Sequence, residues 1–231
     1  MTPDFELDKV RLFNCDCMKF MAEIPDSHYE LAIVDPPYGI GFDGNSTVKG
    51  KAGKASTFSD IQHHKQKQWD SNIPDKSYFD ELRRISVNQI ICGGNYFANM
   101  LPNSRGWIYW DKKITNANNT NFSDGELLWT SFSKRLIKFT YDWIGFGYLN
   151  NPQREKKIHP TQKPIQLYKW LLTNYAKPND KIFDSHGGSF SSACAALDMG
   201  FEFDGCELDK DYFDSAVNRI RNHSQLYIDL S

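Results

Sequence analysis

The chain has 231 residues, 40% hydrophobic and 24% charged, which suits one folded core and excludes disorder along the whole length. Its formal net charge of -2 argues against a protein that coats nucleic acid without specificity. No apolar run approaches the roughly 20 residues of a membrane-spanning helix, and Met1–Lys9 lacks the basic-then-apolar pattern of a secretory leader. A single-domain, soluble, cytoplasmic chain with no membrane contact is expected.

In chain order, Val10–Asn14 reads as a strand and Cys17–Ile24 as a short helix stopped by Pro25. Leu31–Val34 is a continuous apolar run, the pattern of a buried parallel strand. It stops at Asp35-Pro36-Pro37, because two prolines cannot continue a central strand. Residues 39–72 are rich in Gly, Ser, Lys and Gln and predict a long loop. Asp75–Ile85 predicts a helix with Phe79, Leu82 and Ile85 inward, followed by a strand over Gln89–Cys92 and a short helix over Tyr96–Leu101. Trp107–Trp110, Glu126–Phe132 and Leu136–Trp143 read as close-spaced extended segments forming an antiparallel element at one sheet edge. Pro164–Ala176 is a helix with proline at its first position. The tail alternates strand 181–183, helix 189–199 capped by Gly200, strand 201–206 and helix 209–222. This alternation predicts a mostly parallel sheet covered by helices.

Charge is uneven along the chain. Asp43–Trp69 carries five lysines and two aspartates, whereas Glu202–Asp214 carries six acids and one lysine. The basic stretch is either a solvated loop or a surface for phosphates. The five cysteines form no CxxC pair and have no histidine at zinc-ligand spacing, so neither a metal site nor a disulfide framework is expected.

Two motifs carry chemistry. Lys181-Ile182-Phe183-Asp184 runs into Ser185-His186-Gly187-Gly188-Ser189 and a helix of small residues, a strand–turn–helix that brings backbone close to a ligand. Glu207 follows Gly188 by 19 residues and ends the next strand, the place of an acid that accepts from ribose hydroxyls. An adenosine-containing ligand is predicted, although a βαβ unit with a surface glutamate would read the same. G-x-G-x-x-G is absent, and so is the Gly-Lys-Ser/Thr of a P-loop.

The second motif is Asp35-Pro36-Pro37-Tyr38 after the buried strand. The amine of adenine is conjugated with its ring, so its lone pair is a poor nucleophile. Two acceptors around the amine hydrogens draw the nitrogen towards tetrahedral geometry. Asp35 and the Pro36 carbonyl supply them, Pro36 and Pro37 stiffen the loop, and Tyr38 offers a face for an extruded base. The plain alternative is a turn that closes a strand, with Tyr38 at its edge.

Together with His159-Pro160-Thr161-Gln162-Lys163-Pro164, these motifs resemble the amino-methyltransferases of DNA, in the circularly permuted β class where the catalytic loop precedes the cofactor half. The resemblance covers about 12–220. It implies an α/β, Rossmann-like fold that binds S-adenosylmethionine, with a mostly parallel seven-stranded sheet, an antiparallel edge strand and helices on both faces. It also implies methyl transfer to adenine N6 of a flipped-out base in double-stranded DNA. Asp35, Pro36, Pro37 and Tyr38 match the target-base loop; Asp35, Asp184, Ser185, His186, Gly187, Gly188 and Ser189 belong to the cofactor set. Glu207, with Leu208 beside it, matches the ribose acceptor. Asp16, with neighbouring Cys17, resembles the acid on the cofactor adenine, while Thr161 and Lys163 match the segment near the cofactor carboxylate.

The family usually reads Asp-Pro-Phe-x-Gly-Ser-Gly where this chain has Ser185, His186 and Phe190 at the Pro, Phe and last Gly positions. His186 is either a pocket residue or a polar group at a helix end. No large target-recognition segment is evident. Lys49, Lys51, Lys54, Lys65 and Lys67 in 39–74, and Asn118 and Asn119 in 112–125, are the candidates for DNA contact. The class implies a possible homodimer, and the short chain would suit a phage or restriction-modification system. Alternatives are an N4-cytosine DNA methyltransferase, an RNA adenine methyltransferase, or a silent nucleic-acid-binding subunit. Asp at the first tetrapeptide position favours adenine, since N4-cytosine members usually carry Ser.

Overall fold

A computed structural model describes residues 1–41, 69–113, 123–143, 155 and 157–228. Nine strands and five helices follow one another along these residues: β1 (Phe5–Leu7), β2 (Val10–Phe13), α1 (Cys17–Ala22), β3 (Tyr29–Val34), α2 (Lys76–Ile85), β4 (Ser86–Cys92), β5 (Trp107–Asp111), β6 (Gly125–Thr130), β7 (Ile137–Thr140), α3 (Ile165–Tyr175), β8 (Lys181–Asp184), α4 (Ser191–Met199), β9 (Glu202–Cys206) and α5 (Lys210–Ile228). A 3-10 turn over Gly94–Phe97 follows β4.

The strands form one sheet in the order β1-β2-β9-β8-β3-β4-β6-β5-β7. β2, β9, β8, β3 and β4 pair in parallel. The strand order reverses between β8 and β3, the place where open α/β sheets bind ligands beyond their carboxyl ends. β6 runs antiparallel between β4 and β5, and β7 returns parallel to β5.

The α/β class is as expected, with two differences of detail. The described sheet has nine strands rather than seven: β1 pairs antiparallel with β2 across a turn at Asp8, whose φ is 53°, and β7 adds the far edge. The reversed strand β6 lies inside the sheet, not only at an edge.

Alternation along the central strands splits the core in two. Leu31, Ile33, Ile90 and Ile182 pack with α3, α4 and α5 on one face. Ala32, Val34, Ile91 and Phe183 pack with α1 and α2 on the other. On α2 the buried set is Tyr78, Phe79, Leu82 and Ile85, one stripe at helical spacing, and Asp75 caps it by accepting from the Tyr78 amide. No described helix is long and apolar enough to cross a membrane. All five cysteines are free thiols, with Cys15 and Cys206 Sγ atoms 3.9 Å apart.

Candidate active site

Asp35-Pro36-Pro37-Tyr38 leaves the carboxyl end of β3. Asp70 clamps it: its Oδ1 accepts the amides of Tyr38 at 2.8 Å and Gly39 at 2.9 Å. The Tyr38 ring stacks on Tyr96, with centroids 4.8 Å apart and planes 16° from parallel. Gly93 makes that position possible. Its φ is 66°, and a Cβ there would lie 2.3 Å from the Tyr38 ring.

A chain of opposite charges surrounds Asp35. Tyr38 Oη donates to Asp35 Oδ1 at 2.7 Å, and Lys163 Nζ donates to Asp35 Oδ2 at 2.5 Å. Lys163 Nζ also lies 3.1 Å from Tyr38 Oη and 3.4 Å from Glu126 Oε2. Lys112 holds the other oxygen of Glu126 at 2.5 Å. Burial pushes the Asp35 carboxyl up; Lys163 opposes that shift and the Glu126 charge adds to it. Burial also acts upward on Glu126, but the Lys163 and Lys112 ammonium groups outweigh it and hold its pKa at about 2. Burial alone would discharge Lys163; Asp35 and Glu126 overcome it and keep the ammonium charged.

Residues 184–190 form the second half. Buried Asp184 ties the turn together, accepting from the His186 amide at 3.1 Å and from Ser192 Oγ at 2.6 Å. Burial raises its pKa to about 7. Ser185 Oγ bridges Tyr78 Oη at 2.6 Å and His186 Nδ1 at 2.9 Å. Burial lowers the His186 pKa to about 4, so the ring is neutral at pH 7. Glu207 accepts from the amides of Gly188 and Asp209, each at 2.7 Å, fixing the end of β9 to the turn. Asp16 caps α1 by accepting from the Met18 amide at 2.8 Å.

Phe190 occupies its glycine-like position in a glycine-like way. Its backbone is left-handed, with φ 50° and ψ 43°, immediately before α4. Its ring fills the space that side chains on Gly187 and Gly205 would need: a Cβ on either would lie 2.1 or 2.4 Å from the ring.

Two cavities meet at this place. One, of about 620 Å³, is lined by every expected cofactor residue except Asp184, which is buried beneath the turn: Asp16, Cys17, Asp35, Thr161, Lys163, Ser185, His186, Gly187, Gly188, Ser189, Glu207 and Leu208. His186 is thus a pocket residue and not a helix-end group, since α4 begins only at Ser191. The other, of about 400 Å³, is lined by Asp35, Pro36, Pro37 and Tyr38, with Tyr96, Trp110, Glu126 and Trp143. Asp35, Pro37, Trp69, Thr161, Gln162 and Lys163 line both.

Lys163 lies in that shared wall with its ammonium on Asp35. Sequence reading missed Glu126, Lys112, Asp70, Gly93 and Tyr96. Lys49, Lys51, Lys54, Lys65, Lys67, Asn118 and Asn119 lie outside the described residues. No group of three or more His, Cys, Asp or Glu among the described residues is arranged to hold a metal.

The larger cavity fits S-adenosylmethionine. Its volume falls within the ~300–1,000 Å³ of small-molecule sites. Its lining includes two acids (Asp16 and Glu207), the glycines of the turn (Gly187 and Gly188) and Leu208, which is 72% exposed.

Comparison with known proteins agrees with this geometry. The DNA methylase family model matches residues 29–218. Type II methyltransferase M.HinfI of Haemophilus influenzae is 26% identical over 89% of this chain and 67% of its own length. The putative methylase YubD of Escherichia coli strain K12 is 23% identical over 91% and 89%. Among solved structures, the M1.HpyAVI–SAM complex aligns with TM-score 0.56 at 18% identity, over 91% of this chain and 99% of that one. The cytosine-N4-specific PvuII DNA methyltransferase aligns with TM-score 0.61 at 12% identity, over 98% and 94%. These last two are likenesses of fold. The family match runs from β3 into α5 and takes in the wall between the cavities: the chain belongs to the DNA methylase family and is a DNA methyltransferase that uses S-adenosylmethionine.

Proposed function

We propose that the chain methylates the N6 amine of adenine in double-stranded DNA, with the base turned out of the helix into the 400 Å³ cavity. The observation that carries this reading is the shared wall. Asp35 faces both the cavity that suits a flat base and the cavity that suits the cofactor, so an amine held on Asp35 stands next to a methyl donor.

S-adenosylmethionine supplies an electrophilic methyl group when bound. Asp16, Glu207 and the 185–189 turn would hold it. Asp35 accepts one amine hydrogen and the Pro36 carbonyl the other, which localises the nitrogen lone pair. Tyr38, backed by Tyr96, and Trp110 and Trp143 enclose the ring and exclude water. The methylated nitrogen then sheds a proton, for which Asp35 is the adjacent acceptor. Burial strengthens Asp35 as an acceptor.

The choice of adenine over cytosine rests on Asp, rather than Ser, at position 35. The likeness to an N4-cytosine enzyme is one of fold and does not bear on the base. Lys49, Lys51, Lys54, Lys65, Lys67, Asn118 and Asn119 remain the proposed DNA contacts, and pairing of two copies would widen that surface.

The test is transfer of tritiated methyl to duplex DNA, with RNA in parallel, followed by base analysis. N6-methyladenine is expected, and N4-methylcytosine would refute the base assigned. Asp35→Ala should abolish transfer while calorimetry still shows cofactor binding; retained turnover would remove Asp35 from the chemistry.

A further inference from the structure

Asp35 is already engaged before any base arrives. Tyr38 donates to one of its oxygens and Lys163 to the other. An ammonium at 2.5 Å draws electron density from the carboxylate that must accept the amine. It also sets a positive charge beside a nitrogen that becomes positive during transfer. Lys163 cannot withdraw into water, because its side chain is only 4% exposed. Its backbone is pinned as well, with the carbonyl accepting from Ser191 Oγ at 2.6 Å. The ammonium therefore needs a second seat within the wall.

Glu126 is that seat. Because β6 runs against β4, its first residues come to the same end of the sheet as the carboxyl ends of β3 and β8. Glu126 presents Oε2 at 3.4 Å from Lys163 Nζ, while Lys112 fixes Oε1. We propose that Glu126 is a positioning residue for methyl transfer: it takes over the Lys163 ammonium so that Asp35 can engage the target amine. The proposal rests on the reading of Asp35 as the amine acceptor. Without the Glu126 charge, Lys163 stays on Asp35, and the Asp35 carboxyl loses a neighbour that keeps its pKa high.

The experiment uses the full chain with tritiated S-adenosylmethionine and duplex DNA, across pH. Glu126→Gln should lower kcat roughly 10- to 100-fold, the scale of loss when a reacting group is displaced by about 1 Å. Cofactor affinity by calorimetry should stay within about twofold, because the residue acts on the transfer step and not on cofactor binding. The acid limb of the rate profile should move to lower pH, since an Asp35 held by Lys163 alone ionises more readily. Glu126→Asp should restore part of the rate, and it carries the test if the glutamine variant fails to fold. In a Lys163→Met background the ammonium is gone, so Glu126→Gln should cost little further rate. Wild-type kcat in Glu126→Gln, or a rate loss with an unmoved acid limb, would overturn the role of Glu126. Turnover in Asp35→Ala would instead overturn the acceptor reading on which it rests.

Discussion

Replacing Phe190 separates two opposing effects that can be sized from the structure. The ring is fully buried and fills the space beside Gly187 and Gly205, so Phe190→Ala should cost about 3–5 kcal/mol, the range for emptying an aromatic site in a core. That is a large share of the ~5–15 kcal/mol that holds a typical domain together. The backbone acts in the other direction. A left-handed non-glycine residue is strained by about 1–2 kcal/mol, and glycine relieves this. Phe190→Gly should therefore be more stable than Phe190→Ala by about 1 kcal/mol, the reverse of the usual order of the two residues near a helix. Urea denaturation of the three proteins, followed by tryptophan fluorescence, measures both differences. A companion cycle tests the ring itself. Gly187→Ala should destabilise the wild type, because the three atoms nearest its methyl would be Phe190 ring atoms at 2.1–2.5 Å, and should cost much less once Phe190 is alanine. If alanine at 190 proves more stable than glycine, the backbone there is not left-handed and the account of the turn fails.

Two further predictions concern the two cavities. Gly93→Ala should destabilise the fold by about 2–4 kcal/mol, combining left-handed strain with overlap of the Tyr38 ring. It should also slow transfer by displacing the hydroxyl that donates to Asp35, and a variant with wild-type Tm and kcat would contradict this. Asp184 holds its proton up to about pH 7 in the folded chain but releases it near 3.8 when unfolded. The folded state thus binds more protons between those values, so this group makes stability fall as pH rises from about 4 to 7, by at most about 4 kcal/mol. Asp184→Asn should remove that slope from urea midpoints measured at intervals between pH 4.5 and 7.5; an unchanged slope would count against a protonated Asp184.

Much of the fold could be read from local pattern, and the departures have local causes. The apolar run at 31–34 and the Pro36-Pro37 stop each record a short-range constraint and lie where the sequence put them, whereas Asp75, expected as the first residue of α2, stands before it as the cap. The expected helix at Ser189 begins instead at Ser191, because Phe190 is left-handed and cannot serve as a helical residue. Pro164 is the cap before α3 rather than its first residue, with ψ 144°. β4 begins at Ser86 directly after α2, where no turn residues announce the change. β1 was missed because three residues carry almost no periodicity, and its support is the pairing of Phe5 with Leu12.

The site divides along the same line. Residues found from sequence sit in contiguous motifs whose backbone geometry is itself the signal: two prolines after a strand, or glycines before a helix. Those missed are joined to the motifs by the sheet. Glu126 reaches Lys163 only because β6 is reversed between β4 and β5; on a parallel strand the same residue would begin at the opposite end of the sheet, far from Asp35. Asp70 reaches the Tyr38 amide across 32 positions. Neither residue has a local pattern that sets it apart from a surface acid. What sets Glu126 apart is visible only in the folded chain. Glu126 follows Gly125, where a side chain would strike Tyr109 and the Trp110 carbonyl, so the start of this strand is packed too tightly for an ordinary exposed edge. A carboxylate placed immediately after so constrained a position faces a built environment, and the charge it carries there must answer to Lys112 and Lys163 rather than to water.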